Sequence, residues 1–159
     1  MPDASAGAGH TRLVPPIPRA LGALGLLPQG AAALLAALDP PLLRAAGVML
    51  ASGYAALILS FLGGMWWGLA AAAPASPRWT WLAAVAPSLW ALACLVAGLA
   101  IGLPNVALVP LALAVLLTPL VDRRLAALGL APHWWMRLRV PLSVGLALLT
   151  AIVAVLAWR

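Results

Sequence analysis

The chain has 159 residues, of which 65% are apolar and only 8% charged, and this excludes an ordinary water-soluble fold, because too few polar side chains are available to cover its surface. The net charge of +6 comes from nine Arg against three Asp, with no Lys and no Glu. Nucleic acid is not the partner this balance points to, since the Arg residues flank apolar runs instead of gathering on one basic face.

Residues 1–14 are small and polar, with Asp3 early and no basic stretch leading into an apolar run. They read as a disordered cytoplasmic tail, not as a secretory signal. Residues 15–159 then read as one transmembrane domain. A bilayer core about 30 Å thick takes roughly 20 apolar residues in a helix, because every backbone polar group must be satisfied within the segment. Five runs meet that length. The first, about 18–38, closes on Asp39-Pro40-Pro41. The second, about 46–69, is followed by the turn-rich stretch Pro74 to Arg78. The third, about 81–101, ends on Gly102-Leu103-Pro104-Asn105 and makes a tight hairpin with the fourth. The fourth, about 106–121, carries Pro110 and Pro119 and stops at Asp122-Arg123-Arg124. Residues 125–136 are too short to cross and read as an interfacial segment lying on the membrane face. The fifth run, about 138–158, ends on Arg159. The expected fold is an all-α, polytopic membrane helix bundle of about five transmembrane helices.

The charges predict its orientation. Arg12, Arg19, Arg78, Arg123, Arg124, Arg137 and Arg139 fall on one side of this arrangement, and only Arg44 and Arg159 on the other. Arg concentrates in cytoplasmic loops, so the N-terminus is expected inside and the C-terminus outside. Arg78, Trp79, Arg124, Trp134, Trp135 and Arg137 are expected at the membrane interface, where amphipathic rings and cations meet headgroups. The excess of Ala, Arg, Gly and Pro reads as the coding bias of a GC-rich bacterial genome, so the expected location is a bacterial inner (plasma) membrane.

Within the second run, Ser52, Ala56, Ser60, Gly64 and Gly68 recur every four residues. Small residues let membrane helices approach closely, so this stripe, with Gly98 and Gly102 of the third run, is expected to carry helix packing, inside the chain or against a second copy. The polar groups in the runs are few: Gln29, Ser52, Tyr54, Ser60, Ser88, Thr118, Asp122, Ser143 and Thr150. Hydroxyls back-bond to their own helix, and Gln29, next to Pro28, is expected to make a structural hydrogen bond. Asp122 is expected to pair with Arg123 or Arg124 at the interface. Cys94 is a lone cysteine inside an apolar run and reads as a small buried hydrophobe. His10 and His133 have no partner at ligand spacing, no carboxylate pair exists for acid and base work, and no serine has a nearby base. The chain is therefore expected not to be an enzyme and to hold no metal and no cofactor.

The stretch Tyr54-Ala55-Ala56-Leu57-Ile58-Leu59-Ser60-Phe61-Leu62-Gly63-Gly64-Met65-Trp66-Trp67-Gly68-Leu69-Ala70 resembles the signature of the domain of unknown function 3429 family, the transmembrane protein 69-like integral membrane proteins. The resemblance continues in order through Leu21 to Pro28, Ala86 to Trp90 with Pro87, the pair Asp122-Arg123, and Pro132 to Arg139. Its signature positions here are Tyr54, Ser60, Phe61, Gly63, Gly64, Trp67, Gly68, Pro87, Asp122, Arg123 and Arg139. The resemblance implies a membrane fold and brings no activity with it. One departure stands out: in the family the position before the signature Trp is usually His or Arg, whereas here it is Trp66.

Many packing surfaces without chemistry lead to the expectation of a non-catalytic accessory or assembly partner of a larger membrane complex. The lipid bilayer and either a membrane-protein partner or a homodimer are its expected company. A different class, a binder or transporter of a small hydrophobic molecule, is suggested by size and Trp content, which are similar to those of the tryptophan-rich sensory protein group; Trp67, Trp90 and Tyr54 are the candidate lining residues. A well-formed cavity between spans favours the binder and a filled bundle favours the accessory protein.

Overall fold

The computed structural model describes residues 13–38 and 40–159. The expected tail, apart from its last two residues, lies outside the described residues. Those described form six α-helices and no strand: α1 (Pro16–Leu24), α2 (Leu27–Ala37), α3 (Pro41–Ala72), α4 (Arg78–Ala100), α5 (Leu108–Ala127) and α6 (Trp135–Leu156). A one-turn 3₁₀ helix, Pro104–Ala107, leads into α5. Together they make five helices long and apolar enough to cross a membrane, with α1 and α2 acting as one broken span.

Prolines set most of the starts. Pro16, Pro28 and Pro41 sit in the first turns of α1, α2 and α3, where a missing N–H costs nothing. The break between α1 and α2 is sealed from another helix, as the Tyr54 hydroxyl of α3 donates to the Gly25 carbonyl. Glycines set two of the stops. At the end of α4, Gly102 takes φ +69, its N–H donates to the Leu99 carbonyl and that of Leu103 to the Gly98 carbonyl, a reversal that closes the last turn. Gly129 with φ +73 does the same after α5, where Leu130 N–H reaches the Leu125 carbonyl. Buried Leu125 packs with Leu130 there, so α5 runs on past Asp122 for another turn. The expected interfacial segment 125–136 takes in the end of α5, a short turn and the start of α6.

The longest helix, α3, is the hub and packs on α2, α4, α5 and α6. Its 32 residues rise about 48 Å at 1.5 Å each, so its ends stand beyond a bilayer core of about 30 Å. Its buried face is Gly47, Val48, Ala51, Ser52, Ala55, Leu59, Leu62, Gly63, Trp66 and Ala70. Those positions step by one, three and four residues and so hold the 3.6-residue period. The expected stripe steps by four throughout and advances about 40° past a full turn each time. It therefore starts buried at Ser52, passes half-buried Ala56 and leaves the core, with Ser60, Gly64 and Gly68 exposed. A Cβ added at Gly64 or Gly68 meets nothing within 4 Å. The close approaches belong to other glycines: a Cβ on Gly63 would overlap the Ala84 carbonyl of α4, and one on Gly47 would come within 2.6 Å of the Ala36 nitrogen and 2.7 Å of the Ala32 carbonyl on α2. Gly98 lies 3.3 Å, by the same measure, from the Pro104 backbone. Gly98 and Gly102 thus shape the α4 turn, not a helix-to-helix contact.

Three apolar clusters run down the bundle. Ala32, Val48, Leu108 and Val153 fill one end, Leu59, Cys94, Leu111 and Leu146 the middle, and Leu62, Trp66, Ala84 and Leu125 the other end. α4 packs chiefly on α3 and α5 chiefly on α6, while α4 and α5 barely touch. At the third cluster the apolar packing gives way to charge.

Candidate functional site: a buried charge cluster

The facing sides of α5 and α6 carry polar residues at helical spacing, Thr118 and Asp122 on one, Trp135, Arg139 and Ser143 on the other. Asp122 is about one turn from the end of α5 and Arg139 about one turn into α6, so folding the antiparallel pair sets them opposite each other. Arg139 Nε lies 2.8 Å from Asp122 Oδ2. The other carboxylate oxygen, Oδ1, accepts the indole N–H of Trp66 at 2.8 Å and that of Trp135 at 3.1 Å. Asp122 is fully buried and Arg139 nearly so. An intramembrane charge is costly unless paired and hydrogen-bonded, and this carboxylate of α5 meets both conditions with three donors from α3 and α6.

Pro119 couples the cluster to the backbone. It has no N–H for the Val115 carbonyl one turn back, and the Thr118 hydroxyl takes its place at 2.8 Å. With its single proton committed there, Thr118 Oγ1 accepts from Arg139 Nη2 at 3.3 Å and from Ser143 Oγ at 3.2 Å. Nη1 is the guanidinium nitrogen outside these bonds. A second buried polar contact lies nearer the other end, where Gln29 Nε2 donates to Thr150 Oγ1 at 2.7 Å and to the Ala51 carbonyl at 3.4 Å. Gln29 Oε1 has no partner among the described residues.

Asp122 therefore does not pair with Arg123 or Arg124, which are both exposed on the far side of α5. Trp135 is half-buried and bonded to Asp122, so it belongs to the cluster as well as to the interface. Of the other expected interface residues, Arg78, Arg124 and Arg137 are exposed, and Trp79 and Trp134 half-buried. The signature residues divide. Asp122 and Arg139 meet, Tyr54 seals the α1–α2 break, Gly63 lets α4 approach, and Pro87 sits inside α4. Ser60, Phe61, Gly64, Trp67 and Gly68 face outward, with Trp67 edge-on to Trp81 at 4.8 Å. Trp66, singled out in the sequence only as a departure, is the largest fully buried side chain. The His or Arg that the resemblance leads one to expect at this position would also face the carboxylate; the indole supplies one neutral N–H instead.

Two cavities flank the cluster. One, of about 470 Å³, lies between α1, α3 and α6, with Leu21, Ile58, Met65 and Leu142 among its walls and Trp135, Arg139 and Ser143 on the cluster side. The other, of about 620 Å³, opens between α4 and α5, with Trp66 and Thr118 on the cluster side. Trp90 lines the second, while Tyr54 and Trp67 line neither. Among the described residues no three His, Cys, Asp or Glu side chains gather as metal ligands. Chemically the cluster is an anchor: three donors occupy the carboxylate, and the donor nitrogen left over, Nη1, belongs to Arg139, which lines the cavity between α1, α3 and α6.

The family described as protein of unknown function (DUF3429) matches residues 14–156, nearly the whole chain. The chain belongs to the DUF3429 family. No curated protein and no solved structure matches it. Membership agrees with the family resemblance and with the membrane bundle, and two of the residues that carry the resemblance, Asp122 and Arg139, are in direct contact.

Proposed function

We propose that this DUF3429 protein is a non-catalytic binder of a small hydrophobic molecule carrying a hydrogen-bond acceptor, taken up between α1, α3 and α6. The observation that carries the reading is the cavity of about 470 Å³ there, within the range of about 300–1,000 Å³ usual for ligand sites and apolar apart from a few convergent polar groups. Arg139 is neutralised by Asp122, so the site suits a neutral carbonyl or hydroxyl better than a free anion; Nη1, outside the bonds within the cluster, is the donor to meet it. The setting we propose is a bacterial inner membrane, with the N-terminus in the cytoplasm.

The test is gentle extraction in native lipid, followed by mass spectrometry of everything that travels with the chain. One defined small molecule at a fixed ratio is expected, lost in Leu142→Trp, which fills the cavity, while the melting temperature holds. A second reading, the accessory or assembly protein, is supported by the open outer face of α3 at Ser60, Gly64 and Gly68, where a partner helix has room to approach. Recovery with other membrane subunits at a fixed ratio, and with no small molecule, would replace the first reading by the second.

A further inference from the structure

We propose that the groove between α4 and α5, separate from the cavity just assigned to a ligand, holds one acidic phospholipid, with its phosphate on Arg123 and Arg124 and an acyl chain running inward past Pro87 toward Trp90. The groove consists of two hollows set end to end. The apolar one of about 620 Å³ is walled by Ala86, Pro87, Trp90 and Leu117. The other, of about 590 Å³, is walled by Trp79, Leu120, Arg123 and Arg124. Ala83 and Val121 line both, so one passes into the other.

The packing explains why the groove exists. Gly63 draws α4 onto α3, and the Asp122–Arg139 pair draws α5 onto α6. Near their joining turn α4 and α5 still meet, where Trp90 Nε1 donates to the Pro110 carbonyl at 3.3 Å. Toward the Arg end they part, and Ala83 and Ala86, which α4 turns to the gap, are too small to fill it. From Ala114 to Arg124 the α5 axis rises about 15 Å, the depth of one leaflet of a bilayer whose core is about 30 Å.

Charge identifies the headgroup. Arg123 and Arg124 are exposed and make no hydrogen bond or ion pair among the described residues. Asp122, the one described acid, is committed to Arg139 on the opposite face. Two cations with no acid beside them, at the mouth of an apolar slot, match a phosphate ester on a hydrocarbon chain. Trp79 at the same mouth has the amphipathic ring that favours the headgroup level.

The test uses the full chain in detergent, native mass spectrometry, and phosphatidylglycerol and phosphatidylcholine with identical acyl chains. One phosphatidylglycerol is expected to stay bound, preferred over phosphatidylcholine by roughly tenfold or more. Arg123→Ala/Arg124→Ala should abolish the preference, and Leu117→Trp should lower retention of both lipids. Arg19→Ala, which removes an exposed cation from α1, should change neither. Excess inorganic phosphate should leave the lipid in place, since the chain holds it. Equal retention of the two lipids, an equal effect of Arg19→Ala, or displacement by phosphate alone would each overturn the proposal. A lipid carrying a photoreactive group in mid-chain supplies a second readout. Its crosslinks should fall on residues 83–93 and 114–121, and an even spread around the bundle would also overturn it.

Discussion

At Asp122 the membrane makes the arithmetic of charge unforgiving. Removing one member of a buried pair strands the other, at about 3–5 kcal/mol, whereas replacing both by apolar groups of similar size is often close to neutral. Asp122→Ala should therefore destabilise by about 3–5 kcal/mol, and Asp122→Leu combined with Arg139→Met should recover most of that loss; thermal unfolding in detergent measures both. An additive double variant would mean that the two residues do not act as a pair. Trp66→Phe keeps an aromatic side chain but removes one N–H from the carboxylate and leaves a void where the rest of the indole packs, so its cost should be at least about 1.5–3 kcal/mol, the usual worth of a hydrogen bond to a charged group. These residues were only partly legible in the sequence. Asp122 was visible as a carboxylate in an apolar chain, yet its adjacent Arg123 and Arg124 made the nearer pairing look natural. Neighbours in sequence point to different faces of a helix, and the true partner lies across the α5–α6 turn at Arg139. The usable signal was the i, i+4 spacing of Thr118 with Asp122 and of Trp135, Arg139 and Ser143.

Among the elements, the five spans were legible because length and apolarity suffice to find them, and the helix stops at Gly102 and Gly129 refine their ends. The packing face of α3 was not. A row of small residues at strict four-residue spacing looks like an interface, but it winds around the helix, and only its first members touch the core. What decides is which glycine faces a neighbouring backbone. Gly63→Leu and Gly47→Leu should each destabilise by at least the roughly 1–3 kcal/mol of ordinary overpacking, because a carbonyl of a neighbouring helix stands where the side chain must go. Gly64→Leu should change unfolding in detergent by less than about 0.5 kcal/mol, as surface substitutions do. If Gly64→Leu proved the most damaging of the three in a monodisperse, monomeric sample, the packing face described for α3 would be wrong.

For the whole molecule, one end of the bundle holds most of the positive charge among the described residues. Arg19, Arg78, Arg123, Arg124 and Arg137 stand at the end that also carries the Asp122–Arg139 cluster, and Arg44 and Arg159 at the other. Arg139 was counted among the orienting charges in the sequence, but its guanidinium is buried and paired, so it adds nothing to the surface field. The asymmetry survives without it. Cationic loops are retained on the cytoplasmic side, and the bias is read within about 15–20 residues of the span ends, where all of these lie. The end with the cluster and with the lipid groove should therefore face the cytoplasm, which is also the leaflet whose acidic lipids would meet Arg123 and Arg124. A reporter active only outside the cytoplasm should work when fused after Arg159 and stay silent when inserted at Ala131, in the turn between α5 and α6. Replacing Arg123, Arg124 and Arg137 by Ala should weaken that contrast, since the charge that holds the turn inside is then mostly gone. Activity at Ala131 and silence at Arg159 in the unaltered chain would invert the orientation, and would put the Arg-lined mouth of the groove in the outer leaflet.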